Sequence, residues 1–420
     1  MRRLQTISLA TTILLVLAFS CALAGWQGEI EVEDGVTRVL NPETPAADAT
    51  VLELNELWRV GGDDEDFLFG VISQLLHDEA GNIYLLDGQL SEIQVFDPDG
   101  EFLHTLGREG EGPGEFRNGI DMFWMPDGQL GVVQAWPGKI VLVSPTGDPG
   151  GEYKLPFRDG TGFQVASRGI GLADRIVLSG SAWTTVDGRQ MQLAYLKSFD
   201  AEGQELAHFH ESASETRFGG WEFKEAEFAD FQRRWAVAPD GRVAAALPFS
   251  EYRIRVWNAD GSLDRIIERP EHHPVPRTDQ EKKRFLAMYK RFTQWNPGST
   301  FLVNDNHQSV GQIFFRDDGS LWVQSGRDMY RPEAGRYTSF DVYDAEGRYV
   351  QRVHLQADAD AVEDGLFFAG NRAYIVTDLF SAMMASLGGD EDDGLELEPE
   401  PVSVIAFEFT PPGLEVTRAD

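Results

Sequence analysis

The stretch DEAGNIYLLDGQLSEIQVFDPDGEFLHTLGREGEGPGEF, residues 78–116, decides the fold because the residues that follow repeat its pattern without a gap. Its turn glycines Gly81 and Gly100 recur 47 positions later as Gly128 and Gly147, and the apolar runs beside them recur with the same spacing. A period in the 40s, made of short strands and glycine turns, is typical of a β-propeller blade. A functional site is then expected on a ring of radially arranged blades and not in a cleft between domains.

Paired glycine turns carry the repeat through the rest of the chain and give six units. The third unit lacks its first turn glycine, and the sixth, which begins at Gly370, is the weakest. The segment 51–60 alternates like a strand but has no partner in this count. We predict that it pairs with the sixth unit, which would close the ring and remove an exposed sheet edge. The sequence therefore predicts an all-β fold, a six-bladed β-propeller closed by an N-terminal strand.

The chain is expected to divide into four segments, with two insertions and one extended loop that depart from the repeat spacing. Within 270–300, Thr278 is followed by Glu281 and by apolar residues at helical spacing, which predicts a short helical insertion. Residues 221–232 favour a second short helix, and 378–400 read as an acidic loop inside the sixth unit. The four segments are a signal peptide (1–24), a polar lead-in (25–50), the propeller (51–413) and a C-terminal tail (414–420).

The composition restricts the partners. The chain has 69 Asp and Glu against 36 Lys and Arg, a formal net charge of −33. This charge repels phosphate backbones, so we expect no nucleic-acid binding, and anionic membrane surfaces are disfavoured for the same reason. Suitable partners are cations, neutral glycans or peptides, and basic patches on proteins. We expect a monomer.

The N-terminus has the pattern of an export signal. Arg2 and Arg3 precede a mostly apolar run at 9–19, which is too short to span a bilayer, and a small-residue site ends at Ala24. Cleavage after Ala24 would remove Cys21, the only cysteine. The alternative is a lipoprotein anchored through Cys21. Both alternatives place the mature protein outside the cytoplasm, in the periplasm or secreted.

The first unit carries Gly81, Asn82, Ile83, Tyr84, Asp87, Ile93, Gln94, Val95, Phe96, Asp99, Gly100, Gly107, Gly110, Gly112, Gly114 and Phe116. Through these residues it resembles the NHL repeat, from which a group of six-bladed propellers is built. The other five units match through turn glycines and strand spacing alone. The resemblance implies the fold and a likeness to exported bacterial propellers of largely unassigned function. Leu90 and Glu92 stand where NHL repeats usually carry Asn and Arg. RNA-binding relatives depend on a basic face, so the acidic composition weighs against RNA.

Four arginines are the candidate ligand-binding residues. The tail of the first unit, 107–116, lacks the Gly-Lys-Ser/Thr of a phosphate-binding loop, so we interpret it as a crossing between blades with Phe116 in the core. In propellers that resemble this one the crossing borders the channel, which makes Arg108 and Arg117 candidates. Arg233 and Arg234 form a basic pair before the fourth unit and could bind an anion or pair with neighbouring carboxylates.

No metal site can be assigned from the sequence. His208 and His210 alternate on one strand and could begin a zinc site, but no third ligand follows at useful spacing. Acidic clusters such as 390–393 allow calcium in the channel, although no EF-hand pattern is present. We therefore predict no cofactor and keep calcium as an open alternative.

Two functions remain open. Tryptophans in or near predicted loops, among them Trp136 and Trp183, could form a platform for a glycan or peptide. No nucleophile elbow or zinc-protease motif occurs. The sequence favours an exported, non-enzymatic propeller that binds a protein, peptide or glycan through its loop face. The alternative is a metal-dependent, lactonase-like hydrolase or lyase with its site in the central channel.

Overall fold

A computed structural model describes residues 25–62, 67–155, 163–216, 219–228, 234–294, 296, 298–388 and 400–410. In these residues the strands form six blades around a central channel, which confirms the predicted all-β, six-bladed propeller. The expected signal peptide (1–24) and C-terminal tail (414–420) lie outside the described residues.

Each blade runs from an innermost strand beside the channel to an outer strand at the rim. Four strands precede the first blade: β1 (Glu29–Glu33), β2 (Val36–Leu40), β3 (Thr50–Glu53) and β4 (Asn55–Gly61). Blades one to three comprise β5 (Ile72–His77), β6 (Ile83–Asp87), β7 (Glu92–Phe96), β8 (Phe102–Leu106); β9 (Gly119–Trp124), β10 (Leu130–Gln134), β11 (Lys139–Val143), β12 (Pro149–Tyr153); and β13 (Phe163–Gly171), β14 (Ile176–Val186), β15 (Arg189–Phe199), β16 (Glu205–Glu215).

The later blades contain the insertions. A short strand, β17 (Glu222–Lys224), and helix α1 (Glu225–Phe228) precede blade four, which comprises β18 (Trp235–Val237), β19 (Val243–Ala245), β20 (Arg253–Trp257) and β21 (Leu263–Glu268). Helix α2 (Asp279–Phe292) and β22 (Thr300–Leu302) follow. Blades five and six comprise β23 (Val310–Phe315), β24 (Leu321–Ser325), α3 (Gly326–Tyr330), β25 (Thr338–Tyr343), β26 (Tyr349–Gln356); and β27 (Gly365–Ala369), β28 (Arg372–Val376), α4 (Leu379–Ser386), β29 (Ser403–Glu408).

The repeated turns explain why the strands end where they do. Gly81 and Gly100 have φ values of 85° and 88°, and their repeats Gly128 and Gly147 have 82° and 89°. A residue with a Cβ is strained at such angles, so glycine is favoured. In the turn before Gly100, the Asp97 carboxylate accepts hydrogen bonds from the backbone N–H groups two and four residues later, at 2.9 Å each. These turns fix the hairpin register of each blade.

The N-terminal strand closes the ring, as predicted. β4 pairs antiparallel with β29, so a strand from the start of the chain becomes the outer strand of blade six. The Trp58 indole donates to the carbonyl of Pro98 in blade one at 3.0 Å, and Arg372 of blade six donates to the same oxygen. The predicted single strand at 51–60 is in fact two, because β3 pairs parallel with β26 on blade five before the chain crosses to blade six.

The lead-in at 25–50 adds strands to blade four. β1 and β2 form a hairpin, and β2 pairs parallel with β21, which extends blade four to six strands. Asn41 then fixes the path to blade five, because its side chain accepts from the N–H of Tyr349 at 2.7 Å and donates to the carbonyl of Gly347 at 3.0 Å. Residues 25–61 thus tie blades four, five and six together.

The predicted helical insertion is confirmed as α2, which begins with a capping box between Thr278 and Glu281. The prediction of an acidic loop over 378–400 is wrong for residues 379–386, which form α4. This sequence, LFSAMMAS, is apolar enough to bury Leu379, Ala382 and Met384, and packing of that face outweighs the missing side-chain cap. The acidic stretch 389–399 lies outside the described residues.

The core lies between blades, and Phe116 shows how the crossing segments contribute to it. Its ring is fully buried in a cluster with Leu86 of blade one and Val132 of blade two. A Cβ at Gly107 would lie 2.5 Å from this ring, so a side chain there is excluded. The 107–116 segment is therefore a crossing whose last residue fills the space between two blades.

We expect Phe116→Ala to lower the free energy of unfolding by about 3–5 kcal/mol, because it leaves a cavity between blades one and two. Chemical denaturation measures this. The control is Leu103→Ala on the rim, where the side chain is 45% exposed, and a change within about 0.5 kcal/mol is expected. Equal effects of the two substitutions would contradict the assignment of Phe116 to the core.

Candidate functional site

The two ends of the propeller differ. In a blade of four antiparallel strands, the first and third turns lie at one end, while the second turn and the connections between blades lie at the other. The first end carries the tight glycine turns. All four described helices belong to the second end, since α1 and α2 lie in connections between blades, and α3 and α4 follow the second strands of blades five and six. We call this second end the loop-rich end.

A row of polar residues lies on the innermost strands near the loop-rich end. Gln74, Asp121 and Arg168 are spaced 47 residues apart and pair with Leu86, Val133 and Ser179 of their neighbouring strands. In blade four the carbonyl of Arg234 accepts from the N–H of Ala246 at 2.9 Å, which gives it the same register. We call Gln74, Asp121, Arg168 and Arg234 the channel ring.

Hydrogen bonds join the ring across four blades. The Gln74 amide donates to Asp121 Oδ1 at 2.6 Å, and the backbone N–H of Gly169 donates to Asp121 Oδ2 at 2.7 Å. Arg168 donates to the carbonyl of Trp235 at 2.9 Å, and its guanidinium carbon lies 5.0 Å from the centre of that indole ring. Both oxygens of the Asp121 carboxyl are therefore used within the ring.

Burial dominates the electrostatics of Asp121. Removal from water raises the pKa of its carboxyl to about 6, although the Arg168 guanidinium and hydrogen bonds from Gly169 and Gln74 favour the charged form. Arg234 is also buried, and its guanidinium donates to the carbonyl of Pro248 at 3.0 Å. The ring thus contains one carboxyl that changes charge in mildly acidic solution and two guanidinium groups.

This donor set does not fit a divalent metal. Calcium takes about six to eight oxygen ligands and zinc three or four protein ligands, whereas the ring offers a single carboxylate beside two cations. Throughout the described ranges, no three His, Cys, Asp or Glu side chains cluster closely enough to hold a metal ion. His208 instead lies 3.7 Å from Glu205. The ring is chemically suited to neutral or anionic groups.

Of the four arginines predicted from the sequence, Arg234 lies in the channel ring. Arg108 is 80% exposed in the 107–116 crossing and pairs with Glu115. Arg117 lies 3.5 Å from Glu111 in the same crossing. Arg233 lies outside the described residues. The structure therefore places two of the candidates in a surface loop, beside carboxylates of that loop.

Sequence reasoning missed Asp121 and Arg168. The signal was available, because the 47-residue period that aligns the turn glycines also aligns these positions with Gln74. Polar residues at equivalent innermost positions of successive blades would have indicated the ring. The bulges at Ser73, Ile120 and Ser167, which set this register, could not be seen in the sequence.

A buried ion pair holds the insertions over the loop-rich end. Arg277, just before α2, donates to both carboxylate oxygens of Glu225 in α1, at 2.6 and 2.8 Å, and both side chains are 1% exposed. The Tyr289 hydroxyl and the N–H of Asn304 donate to the same carboxylate at 2.8 and 2.7 Å. The connections before and after blade four are therefore fixed to each other.

His307 extends this contact to blade five. Its ring is buried, stacks on Tyr330 of α3 with centroids 3.6 Å apart, and accepts from Arg277 Nε at 3.3 Å. Burial and the Arg277 charge lower the pKa of His307 to about 4, so the imidazole is neutral at pH 7. The stack joins α1, α2 and α3 into one layer.

Comparisons with known proteins bear on the fold. Residues 63–166 match a family model described as DUF5128, a 6-bladed beta-propeller. A search of curated proteins gives no match. Solved structures similar to this chain include a DUF4221 family member from Bacteroides vulgatus, with 12% identity, a TM-score of 0.47, and 86% of this chain and 98% of that chain covered.

Two further structures are similar over comparable lengths. A Bacteroides fragilis protein described as exported has 12% identity and a TM-score of 0.45, with 86% of this chain and 95% of that chain covered. A gluconolactonase from Xanthomonas campestris has 10% identity and a TM-score of 0.42, with 85% and 97% covered. The family match supports a six-bladed propeller and leaves the ligand to be argued from the residues of this chain.

The pKa of Asp121 predicts a pH-dependent stability difference. An unfolded Asp titrates near pH 4, so the folded state binds this proton more tightly, and ionisation destabilises the fold as pH rises toward 7. Asp121→Asn removes that cost. Its free energy of unfolding relative to wild type should rise by about 2 kcal/mol between pH 4 and pH 7, measured by urea denaturation. A difference that does not change with pH would contradict the burial argument.

The buried pair predicts a second effect. Glu225→Gln leaves Arg277 charged in a buried site, so we expect a loss of about 3–5 kcal/mol in the free energy of unfolding and faster hydrogen exchange in α2. Asp305→Asn is the control, because Asp305 pairs with Lys282 of the same helix on the exposed side. It should change neither quantity appreciably. A Glu225→Gln protein with unaltered exchange in α2 would refute the anchoring role.

Proposed function

We propose that this protein is an exported, non-enzymatic propeller that binds a protein, peptide or glycan at its loop-rich end. The observation that carries the proposal is the asymmetry of the ends. Tight turns occupy one end, whereas helices and long connections cover the other and are fixed by a buried ion pair. Loops positioned on a rigid scaffold are where binding residues usually occur.

The chemistry of the channel favours binding over metal-dependent hydrolysis. The alternative from the sequence required carboxylates or histidines from several blades around a metal. The channel ring instead combines one carboxyl with two guanidinium groups, and hydrogen bonds between blades occupy the carboxyl. The channel ring therefore does not supply the set of oxygen ligands that calcium prefers.

The proposed export rests on the N-terminal sequence. Within the described part of the chain, no helix is long and apolar enough to cross a membrane. Intact-mass measurement of the mature protein after cell fractionation separates the two processing routes, because cleavage after Ala24 leaves Gly25 at the N-terminus whereas lipoprotein processing leaves a lipidated Cys21. An unprocessed N-terminus in the cytoplasmic fraction would reject export.

Photo-crosslinking tests which end binds. A diazirine amino acid is placed at Leu68 or Leu302, which are 71% and 62% exposed in two different connections at the loop-rich end. Matched controls carry it at Ala80 or Ala345, exposed positions in tight turns at the opposite end. We expect ligand adducts in cells from the first pair only.

Two results would oppose the proposal. If both ends gave adducts in equal yield, binding at the loop-rich end would be rejected. Turnover of gluconolactone by the purified protein, abolished by a chelator, would favour the hydrolase. A saturable adduct from Leu68 or Leu302, without turnover, supports the binding function.

A further inference from the structure

Blade three is taller than the others. Its strands β14, β15 and β16 have 11 residues each, whereas the strands β6, β7 and β8 of blade one have five. Its turn between β13 and β14 lies level with the tight turns of the other blades, so the extra length projects at the loop-rich end. Six more residues in a strand add roughly 20 Å. The blade thus forms a wall beside the channel mouth.

One face of this wall is uncharged. Register places Phe163, Trp183, Gln192 and Ser214 in one row across all four strands. The next row outward pairs Thr185 with Gln190. One residue in four of this chain is charged (25%), yet 176–186 contains no charged residue. We call the residues Phe163, Ser181, Trp183, Thr185, Gln190 and Gln192 the Trp183 face.

The face carries a stack of two aromatic rings, with the exposed Trp136 indole beside it. The Phe163 and Trp183 rings stack with centroids 4.6 Å apart and an interplanar angle of 12°. Trp136, from the second turn of blade two, meets Phe163 edge-on at 6.0 Å and is 73% exposed. The turn carrying Trp136 packs closely on the wall, because a Cβ at Gly138 would lie 2.4 Å from a methyl carbon of Val165.

Hydroxyl and amide groups lie directly beside the rings. Gln192 donates to the Ser181 hydroxyl at 3.0 Å, and Gln190 donates to the Thr185 hydroxyl at 2.9 Å. Each amide retains a carbonyl oxygen as acceptor, and each hydroxyl retains its proton as donor. The face therefore combines aromatic planes with neutral donors and acceptors.

We infer that the Trp183 face, together with Trp136, is a stacking subsite for a neutral oligosaccharide. This inference rests on the proposed binding function and names the ligand class. The polarised C–H groups on one face of a sugar ring pack on the electron-rich face of an aromatic ring, and the equatorial hydroxyls pair with neutral donors and acceptors. The absence of charge on the face offers nothing to a charged peptide, and the net charge of −33 repels acidic glycans.

Titration of the full mature protein with defined oligosaccharides tests this inference. The probes are cellohexaose, mannohexaose and xylohexaose, with hexagalacturonate as the acidic counterpart, followed by calorimetry and tryptophan fluorescence. We expect a neutral hexaose to bind and hexagalacturonate not to bind. Trp136→Ala and Trp183→Ala should each weaken binding at least tenfold, and Trp183→Phe should retain it within about threefold, since a stacking plane remains.

Phe102→Ala is the matched control. Phe102 is 44% exposed on the rim of blade one, far from the Trp183 face in the ring of blades, and its removal should leave affinity unchanged. Circular dichroism confirms that each variant is folded.

Two outcomes overturn the inference. Either none of the neutral hexaoses binds, or one binds with affinity that the Trp136 and Trp183 variants do not alter. If photo-crosslinking at Leu68 or Leu302 still captures a ligand in those cases, the proposed binding function survives and only the glycan subsite fails. If crosslinking also fails, both are rejected.

Discussion

The pairing of β4 with β29 is the interaction on which the rest of the structure depends. A propeller is a closed ring, and the only covalent break falls in blade six, where the outer strand comes from the opposite part of the chain. Without that strand, β29 would present an unpaired edge and blade six would be held to blade one by side chains alone. Trp58 and Arg372 both donate to the carbonyl of Pro98, so the closing strand and its partner blade are fixed to the same turn of blade one.

The distribution of charge follows from the shortage of basic residues. With 36 Lys and Arg for 69 Asp and Glu, several arginines nevertheless pair with buried carboxylates. Arg277 pairs with Glu225, Arg269 with Asp341 at 2.5 Å, and Arg352 with Asp328. These pairs join blade four, blade five and the insertions. Each of these pairs is neutral, so the net charge of −33 remains on the rest of the protein, and the uncharged Trp183 face stands out against it.

The sequence was sufficient for the scaffold because a propeller repeats its strongest local signals. Turn glycines at positive φ and the Thr278–Glu281 capping box are local and readable, and the strands and α2 lie where those signals placed them. Contacts between segments that lie far apart in the sequence could not be predicted from it. The segment at 51–60 divides between blades five and six, the lead-in adds a hairpin to blade four, and α4 forms without a side-chain cap because its apolar side is buried.

The candidate sites show the same division. Arg234 was identifiable as part of a basic pair in an acidic chain, whereas Asp121 and Arg168 look ordinary until the 47-residue period is followed into the innermost strands. Trp136 and Trp183 were identifiable as tryptophans near loops, but their common platform depends on the height of blade three and on a turn from blade two. Local sequence shows which residue types are available, and the ring geometry decides which of them meet.

The channel ring and the Trp183 face are suited to different tasks. In the ring, Asp121 uses both oxygens to hold blade one and blade three, so a ligand that engaged it would have to break contacts between blades. At the Trp183 face, Trp136 and Phe163 are exposed, Trp183 is partly exposed, and the hydroxyls and amides keep hydrogen-bonding capacity, so a ligand can bind without disturbing the core. A ligand binds more weakly when it must first break hydrogen bonds between buried groups of the protein, and more tightly when it covers a surface that is already formed. We therefore expect the ligand to bind beside the channel mouth, on the extended strands of blade three. The channel ring then has a structural role, since its hydrogen bonds fix β13 of blade three to blades two and four.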